Sequence, residues 1–192
     1  LKVDDVEYRG ELLEPWYHIS VTNLETRSMF ANMFKGWFNP AAANYNRFIS
    51  AMVSNDIEAM NLYMNRVALE TFSYFDVGGS GKNSEPEKFY HGFVLGLMAE
   101  QTDSYEVHSN RESGFGRYDV MLIPKKDNLP AIVMEFKIHS PNREKSLSDT
   151  AKAALRQIEE KNYDAELLDR GIEKQQILHY GFAFEGKQVL IM

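Results

Sequence analysis

Apolar residues recur at spacings of three and four along the first third of the chain, which is the period of a helix with one buried face. Three helices are predicted, and Asn23 is the expected cap of the first. Because aromatic and methionine stripes usually form a core, we expect residues 1–76 to be a helical subdomain without catalytic chemistry. The stripes are Phe30, Met33, Phe34, Trp37 and Phe38, then Tyr45, Phe48, Ile49 and Met52, then Ile57, Met60, Met64 and Val67.

The segment from Asp76 to Pro86 breaks this pattern because it is rich in glycine, serine and asparagine. Such a composition is typical of a flexible connection, so residues 77–86 are predicted to be a linker. Its Gly-Ser-Gly-Lys sequence does not match a phosphate-binding loop. Asp76 and Asn83 stand where that motif requires glycine and serine or threonine.

After Pro86 the apolar pattern alternates between the period of helices and that of strands. A helix is predicted over 87–98 and a long helix over 148–168, with Gly171 suited to end the second. Helix, three strands, helix and two strands predict an α/β domain with a mixed central sheet flanked by helices at residues 87–192. The strands are predicted at 105–109, 118–123, 131–138, 177–184 and 188–192.

The chain has 192 residues, with 21 Lys and Arg against 28 Asp and Glu, so its formal net charge is -7. That balance argues against a broad basic surface for nucleic acid, although residues 107–147 hold seven basic and five acidic side chains. The absence of cysteine excludes disulfide frameworks, cysteine zinc sites and thiol nucleophiles. No apolar run reaches membrane-spanning length and the start is not a signal peptide, so we expect a cytoplasmic protein. The first residue, Leu1, suggests a fragment of a longer chain.

The strongest chemical candidate lies in the predicted strand 131–138. Four apolar residues precede Glu135, which is typical of a central strand covered on both faces. Because side chains alternate along a strand, Glu135 and Lys137 share one face. Burying both charges is costly unless they pair or bind a ligand, so a purely structural ion pair between them is one interpretation.

Asp119 in the preceding strand supports a second interpretation, because aspartate is a poor strand former and is rarely buried without a partner. If the two strands form a hairpin, Asp119 faces Glu135 and the two carboxylates can bind one cation. Oxygen ligands without histidine or cysteine favour Mg²⁺ or Mn²⁺ over Zn²⁺. Lys137 could then orient or deprotonate a water molecule beside the metal, an arrangement suited to phosphodiester hydrolysis.

Two helical residues can reach the same site. Glu87 shares the inward face of its helix with Tyr90 and His91, although an acid there could simply complement the helix dipole. His91 is expected to be a core histidine rather than a ligand. Gln157 lies on the flank of the apolar face of the long helix, where its amide could reach the edge of the site or face solvent.

Asp119 followed by Glu135-Phe136-Lys137 resembles the D…ExK signature of the PD-(D/E)XK nuclease superfamily. Residues 87–93, 109–119, 154–159 and 180–187 also resemble the superfamily's nuclease domain found at the C-terminus of AAA-ATPase-like proteins, which are mostly bacterial. This resemblance covers about residues 85 to 192. Residues 17–27 are similar, less specifically, to the end of the preceding ATPase-like domain and contain no nucleotide motif.

The resemblance implies a restriction-endonuclease-like core after the helical subdomain, and a nuclease that uses Mg²⁺ or Mn²⁺, with DNA favoured over RNA as its substrate. It implies that Asp119 and Glu135 hold the metal and that Lys137 assists the attacking water. Glu87 would be the helix acid and Gln157 the accessory amide. An alternative is a module that binds nucleic acid, or regulates an upstream ATPase, without cleaving. The oligomeric state is left open.

Basic residues near these positions are candidate phosphate contacts. Arg117 either binds a phosphate or pairs with Glu112 and shapes the loop that both occupy. Arg143 and Lys145 lie in the loop after the central strand and are expected to contact nucleic acid.

Overall fold

The computed structural model of the chain describes residues 2–9, 14–20, 42–72 and 86–192. The chain divides into two compact units, Leu1–Pro40 and Ala41–Met192. In the first unit, strand β1 (Lys2–Arg9) pairs antiparallel with strand β2 (Glu14–Ser20). These two segments differ from the helical prediction because they are rich in β-branched and aromatic residues, which favour strands. The helix predicted around residues 30–38 lies outside the described residues.

The next two predicted helices are confirmed as α1 (Ala42–Val53) and α2 (Ile57–Thr71). Asp56 caps α2, since its side chain accepts a hydrogen bond from the backbone N–H of Ala59 at 3.0 Å. The apolar stripes face inward, as their spacing predicts. Their buried members are Tyr45, Phe48, Met52, Met60, Met64 and Val67.

Residues 86–192 form the α/β part of the second unit. Helix α3 (Pro86–Met98) is followed by β3 (Tyr105–Ser109), by a short hairpin of β4 (Glu112–Ser113) and β5 (Gly116–Arg117), and by β6 (Val120–Pro124) and β7 (Ala131–Ile138). Helices α4 (Leu147–Glu160) and α5 (Ala165–Asp169) then lead to β8 (Ile177–Glu185) and β9 (Gln188–Ile191). The central sheet has the order β3-β6-β7-β8-β9, with β7 and β8 parallel and the other neighbouring strands antiparallel. The predicted α/β class with a mixed sheet is confirmed.

Helices cover both faces of this sheet. On one face, the Tyr180 hydroxyl of β8 donates to the Met52 carbonyl of α1 at 2.7 Å, and Tyr90 of α3 stacks on Phe184 with ring centroids 4.2 Å apart. On the other face, Ile158 of α4 and other side chains pack against β6 and β7 in one buried cluster. Burial on both faces explains the continuous apolar run in β7. No helix in the described part of the chain is long and apolar enough to cross a membrane.

Helix α2 protects the open edge of the sheet at β9. The Asn65 amide accepts from the Val189 N–H at 3.0 Å and donates to the Val189 carbonyl at 2.7 Å. Asn61, one turn earlier, makes the same pair of bonds with Ile191, both at 2.8 Å. Edge backbone groups that would otherwise be open to another strand are thereby satisfied.

These contacts change the predicted domain boundaries. The sequence pattern assigned α1 and α2 to a separate subdomain at residues 1–76, whereas the structure packs both helices on the sheet within Ala41–Met192. The physical reason is the polar contact between the α2 amides and β9, which apolar periodicity does not report. Most of the predicted linker at 77–86 lies outside the described residues, and Pro86 already begins α3.

The single long helix predicted at 148–168 is instead two helices. The first ends at Glu160 and the second begins at Ala165. Between them Asn162 adopts a positive φ of 52°, a conformation that asparagine tolerates better than most residues. This turn directs Tyr163 into the interior, where it is 1% exposed.

Candidate active site

The end of strand β7 places an acid and a base together. Glu135 and Lys137 lie on the same face, as the strand period predicts, with 3.8 Å between Lys137 Nζ and Glu135 Oε1. Glu135 is 4% exposed, whereas the Lys137 side chain retains 28% of its exposure and reaches water. Gly181 pairs with Glu135 in the neighbouring strand and has no side chain to separate β8 from α4. Helix α4 therefore comes close to the face that carries both charges.

Asp119 immediately precedes β6 and lies beside the same strand end. Extending the register that pairs Val120 with Met134 puts Asp119 opposite Glu135, as the hairpin prediction requires. Its Oδ2 accepts a hydrogen bond from the backbone N–H of Phe136 at 2.7 Å. Because this bond fixes one oxygen of the carboxylate against β7, Asp119 is oriented by the strand that carries the other two charged residues.

His91 on α3 supports the backbone at this position. Its Nε2 lies 3.2 Å from the Asp119 carbonyl oxygen and 3.0 Å from Ser109 Oγ. A carbonyl only accepts, so the tautomer with a proton on Nε2 makes the bond to Asp119. His91 is thus a partly buried histidine with polar partners in the sheet. This agrees with its expected structural role.

Gln157 on α4 joins the two charged residues of β7. Its Oε1 accepts from Lys137 Nζ at 2.6 Å, and its Nε2 donates to Glu135 Oε1 in a short hydrogen bond. The same Nε2 lies 3.1 Å from the hydroxyl of Tyr163. An amide can fill this position because it carries an acceptor and two donors without a charge. The alternative of a solvent-facing Gln157 does not hold.

Tyr163 completes this network and was not predicted from the sequence. Its hydroxyl donates to the Arg117 carbonyl at 2.7 Å while receiving the Gln157 amide. Burial raises the pKa of Tyr163, the Gln157 hydrogen bond lowers it, and the negative charges of Glu135 and Asp119 raise it further. The available signal was a single aromatic residue in the otherwise polar stretch after the helix.

A cavity of about 600 Å³ opens beside these residues. Glu135, Lys137, Gln157 and Arg143 line it together with Phe136, Ile138, Ser140, Glu144 and Ala153. The site residues of β7 and α4 therefore face one common space.

The remaining predicted residues are more dispersed. Lys145 is exposed in the loop that carries Arg143. Arg117 is exposed as well, and its backbone lies opposite that of Glu112 in the β4–β5 ladder. The Arg117 carbonyl accepts the Tyr163 hydroxyl and so contacts the network. Glu87 is the second residue of α3, but its side chain lies outside what the structure describes.

A comparison with family models identifies this arrangement. Residues 85–192 match the model of the PD-(D/E)XK nuclease superfamily, which spans the whole α/β part from α3 to β9. The chain belongs to the PD-(D/E)XK nuclease superfamily. Comparisons with curated proteins and with solved structures found no match. Membership indicates a nuclease-type function, with nucleic acid as the substrate class.

PD-(D/E)XK nucleases generally use divalent metals, and the donor set here suits such an ion. Asp119 and the nearly buried Glu135 offer oxygen ligands, with no cysteine in the chain. Within the described residues no three His, Cys, Asp or Glu side chains form a metal-binding group. Two carboxylates still fit Mg²⁺, which is usually bound through one or two carboxylates and keeps several of its waters.

Proposed function

We propose that the chain hydrolyses phosphodiester bonds of DNA, using Mg²⁺ or Mn²⁺ held by Asp119 and Glu135, with Lys137 as the catalytic residue. One observation carries the proposal: the Gln157 amide ties Lys137 to Glu135 at the wall of an open cavity. An ion pair with only a structural role would not need to line a cavity that is open to solvent. The choice of DNA over RNA as the substrate rests on the sequence resemblance. The proposal of an upstream ATPase-like domain rests on the same resemblance.

Lys137 is positioned to act on a bound phosphate. Its ammonium has three N–H donors, of which one is used on Gln157 Oε1 at 2.6 Å. The others can hold a water molecule or a phosphate oxygen in the cavity, where positive charge stabilises the negative charge that develops during hydrolysis. A bound divalent cation would supply Lewis-acid charge and lower the pKa of water. Gln157 keeps the ammonium in place without adding charge.

Each of the two carboxylates has a hydrogen-bond partner that fixes its orientation. The Phe136 N–H fixes Asp119, and the Gln157 amide fixes Glu135. Ligand-orienting partners of this kind typically affect metal affinity or activity by about 10- to 100-fold. We propose Glu87 as a further acid of the site because it lies in the first turn of α3, the helix that places His91 against Asp119.

Phosphate contacts are proposed for three cations. Arg143 lines the cavity, while Lys145 in the same loop and Arg117 near the network are exposed. With a net charge of -7, the chain offers few such contacts, so binding should be weak and sensitive to salt. Each phosphate neutralised adds about 0.9 to the slope of log affinity against log salt on duplex DNA.

Cleavage assays with a matched lysine control test this proposal. Supercoiled plasmid and single-stranded DNA are incubated with the purified chain in Mg²⁺ or Mn²⁺, and cleavage rates are measured. Lys137→Ala should lower the rate by about 100- to 1,000-fold, the usual effect of losing one electrostatic donor. Lys152→Ala removes the same charge from an exposed position on α4 and should leave the rate unchanged.

Equal cleavage rates for the wild type and Lys137→Ala under every condition would reject the proposed nuclease activity. Binding that does not respond to Mg²⁺ or to Asp119→Asn, without cleavage, would favour the non-cleaving module. Asp119→Asn is suitable because asparagine can still accept the Phe136 N–H while losing the charge.

A further inference from the structure

The tip of the β4–β5 hairpin presents an aromatic side chain to solvent. Phe115 is 81% exposed, more than any other large apolar residue in the described part of the chain. The other exposed large apolar residues there, Leu62, Leu69 and Leu168, are aliphatic and lie in helices α2 and α5. At 81% exposure the Phe115 ring contributes little to the packing of the fold and is accessible to a ligand.

The hairpin holds Phe115 outward by contacts behind it. The Phe115 N–H donates to the Lys161 carbonyl at 2.7 Å, and the Ser113 hydroxyl donates to the Tyr163 carbonyl at 2.7 Å. Gly114 has a φ of 59° and packs so closely that an added Cβ would lie 2.2 Å from the Asn162 carbonyl oxygen. Only glycine satisfies both conditions. The backbone is therefore fixed against the end of α4, and the ring is directed away from it.

The same hairpin is connected to the candidate active site. Two residues after Phe115, the Arg117 carbonyl accepts the Tyr163 hydroxyl, which contacts the Gln157 amide. The ring therefore lies on a hairpin whose backbone, at Arg117, is hydrogen-bonded to the Tyr163 side chain and through it to the Gln157 side chain of the site.

Positive charge that phosphates could contact lies in and beside the hairpin. Arg111, Arg117 and Lys161 are exposed cations there, whereas the exposed acids are Glu112 in the hairpin and Glu159 and Glu160 at the end of α4. The aliphatic part of Lys161 lies close to Gly116, since an added Cβ there would be 3.3 Å from Lys161 Cδ. Proteins that bind single-stranded nucleic acid combine exposed aromatic rings, on which bases stack, with cations that neutralise the phosphates.

We propose that Phe115 stacks on an unpaired base of the bound nucleic acid, so that the preferred substrate has single-stranded nucleotides next to the cleaved bond. The inference rests on the proposed function for its choice of ligand and adds the substrate class. Stacking on one side chain tolerates any base and changes affinity by a factor of about 5 to 150. Duplex bases, which are already stacked and paired, gain little from the ring.

The test measures binding separately from cleavage. Fluorescence anisotropy in EDTA gives dissociation constants for a short labelled DNA strand, for an abasic strand with the same phosphates, and for the duplex. The wild type should bind the base-containing strand about 5 to 150 times more tightly than the abasic one. Phe115→Ala should abolish that preference, Phe115→Trp should keep it, and Leu168→Ala should behave as the wild type does. Thermal unfolding should be unchanged in Phe115→Ala because the ring is exposed.

Three results would overturn the inference. Phe115→Ala could bind the base-containing strand as tightly as the wild type does, or it could lose as much affinity for the abasic strand or the duplex as for the base-containing strand. The third result is that the wild type binds no strand measurably. Cleavage in Mg²⁺ is scored independently. Cleavage that depends on Lys137, with no effect of Phe115→Ala, rejects the stacking inference alone. A base preference that depends on Phe115, without cleavage, rejects the nuclease proposal alone.

Discussion

Replacing Gln157 with leucine tests whether the amide organises the candidate active site. The variant keeps a side chain of similar size and removes the acceptor for Lys137, the donor to Glu135 and the contact with Tyr163. Hydrogen bonds to charged groups contribute about 1.5–3 kcal/mol each, so two such bonds set an upper range of about 3–6 kcal/mol. The Lys137 side chain is 28% exposed, so water replaces part of its lost bond. We therefore expect a loss of about 2–4 kcal/mol in the free energy of unfolding.

Urea unfolding and cleavage rates measure the two consequences. The midpoint of unfolding should fall with little change in slope, and the cleavage rate should fall by about 10- to 100-fold because both charged residues lose their orientation. Arg156→Leu, at the exposed neighbouring position on α4, is the matched control and should change stability by no more than about 0.5 kcal/mol. If Gln157→Leu matches Arg156→Leu in stability and the wild type in rate, the bridging role of the amide is refuted.

Three further predictions concern the fold. Gly181→Ala should lower the free energy of unfolding by about 1–3 kcal/mol, measured by urea unfolding, because the new Cβ would lie 2.4 Å from the Ala151 carbonyl oxygen; wild-type stability would contradict the close approach of α4 and β8. Asn65→Leu should cost about 1–3 kcal/mol and promote association in analytical ultracentrifugation, because the Val189 backbone loses both partners; an equally stable, unassociated variant would contradict the edge protection. Burial raises the pKa of Tyr90 from 10.0 to about 12, so the unfolded chain releases this proton at a lower pH than the folded chain does. The contribution of protonated Tyr90 to stability should therefore be complete below pH 10.0 and be lost as the pH rises towards 12. Urea midpoints that stay constant over that alkaline range would contradict this assignment.

Local periodicity was sufficient for the parts of the site that lie on one strand. The alternation of β7 alone places Glu135 and Lys137 on the same face, and its apolar run marks it as central. Asp119 required one further assumption, that two strands joined by a short turn-rich segment form a hairpin. The observed antiparallel register of β6 and β7 meets it.

The features that the sequence pattern missed depend on contacts between distant residues. Tyr163 reaches the site because Asn162, in the turn after α4, has a positive φ, whereas apolar spacing continues smoothly into α5. Likewise, the sequence pattern alone predicts that the two asparagines of α2 lie on an exposed, polar helix face. Their partners in β9 lie more than 120 residues away, so no local pattern could show that they protect a sheet edge.

The net charge became informative only once the positions of the charged side chains were known. The net charge of -7 excludes a broad basic face, yet the candidate site needs few cations because two of its acids are proposed metal ligands. Arg143 lines the cavity and the Arg117 backbone contacts the network, and both are proposed phosphate contacts. Local placement, rather than the total, decides compatibility with a polyanionic substrate.

The central claim is that Asp119 and Glu135 hold a divalent cation. Crystals of the chain soaked in Mn²⁺ test it most directly, because manganese gives an anomalous signal that locates it without assumptions. We expect a peak within coordinating distance of both carboxylates, lost in Asp119→Asn although that variant can keep the bond from the Phe136 N–H. A wild-type crystal without a peak between these two carboxylates, or with an equal peak in Asp119→Asn, would contradict the account.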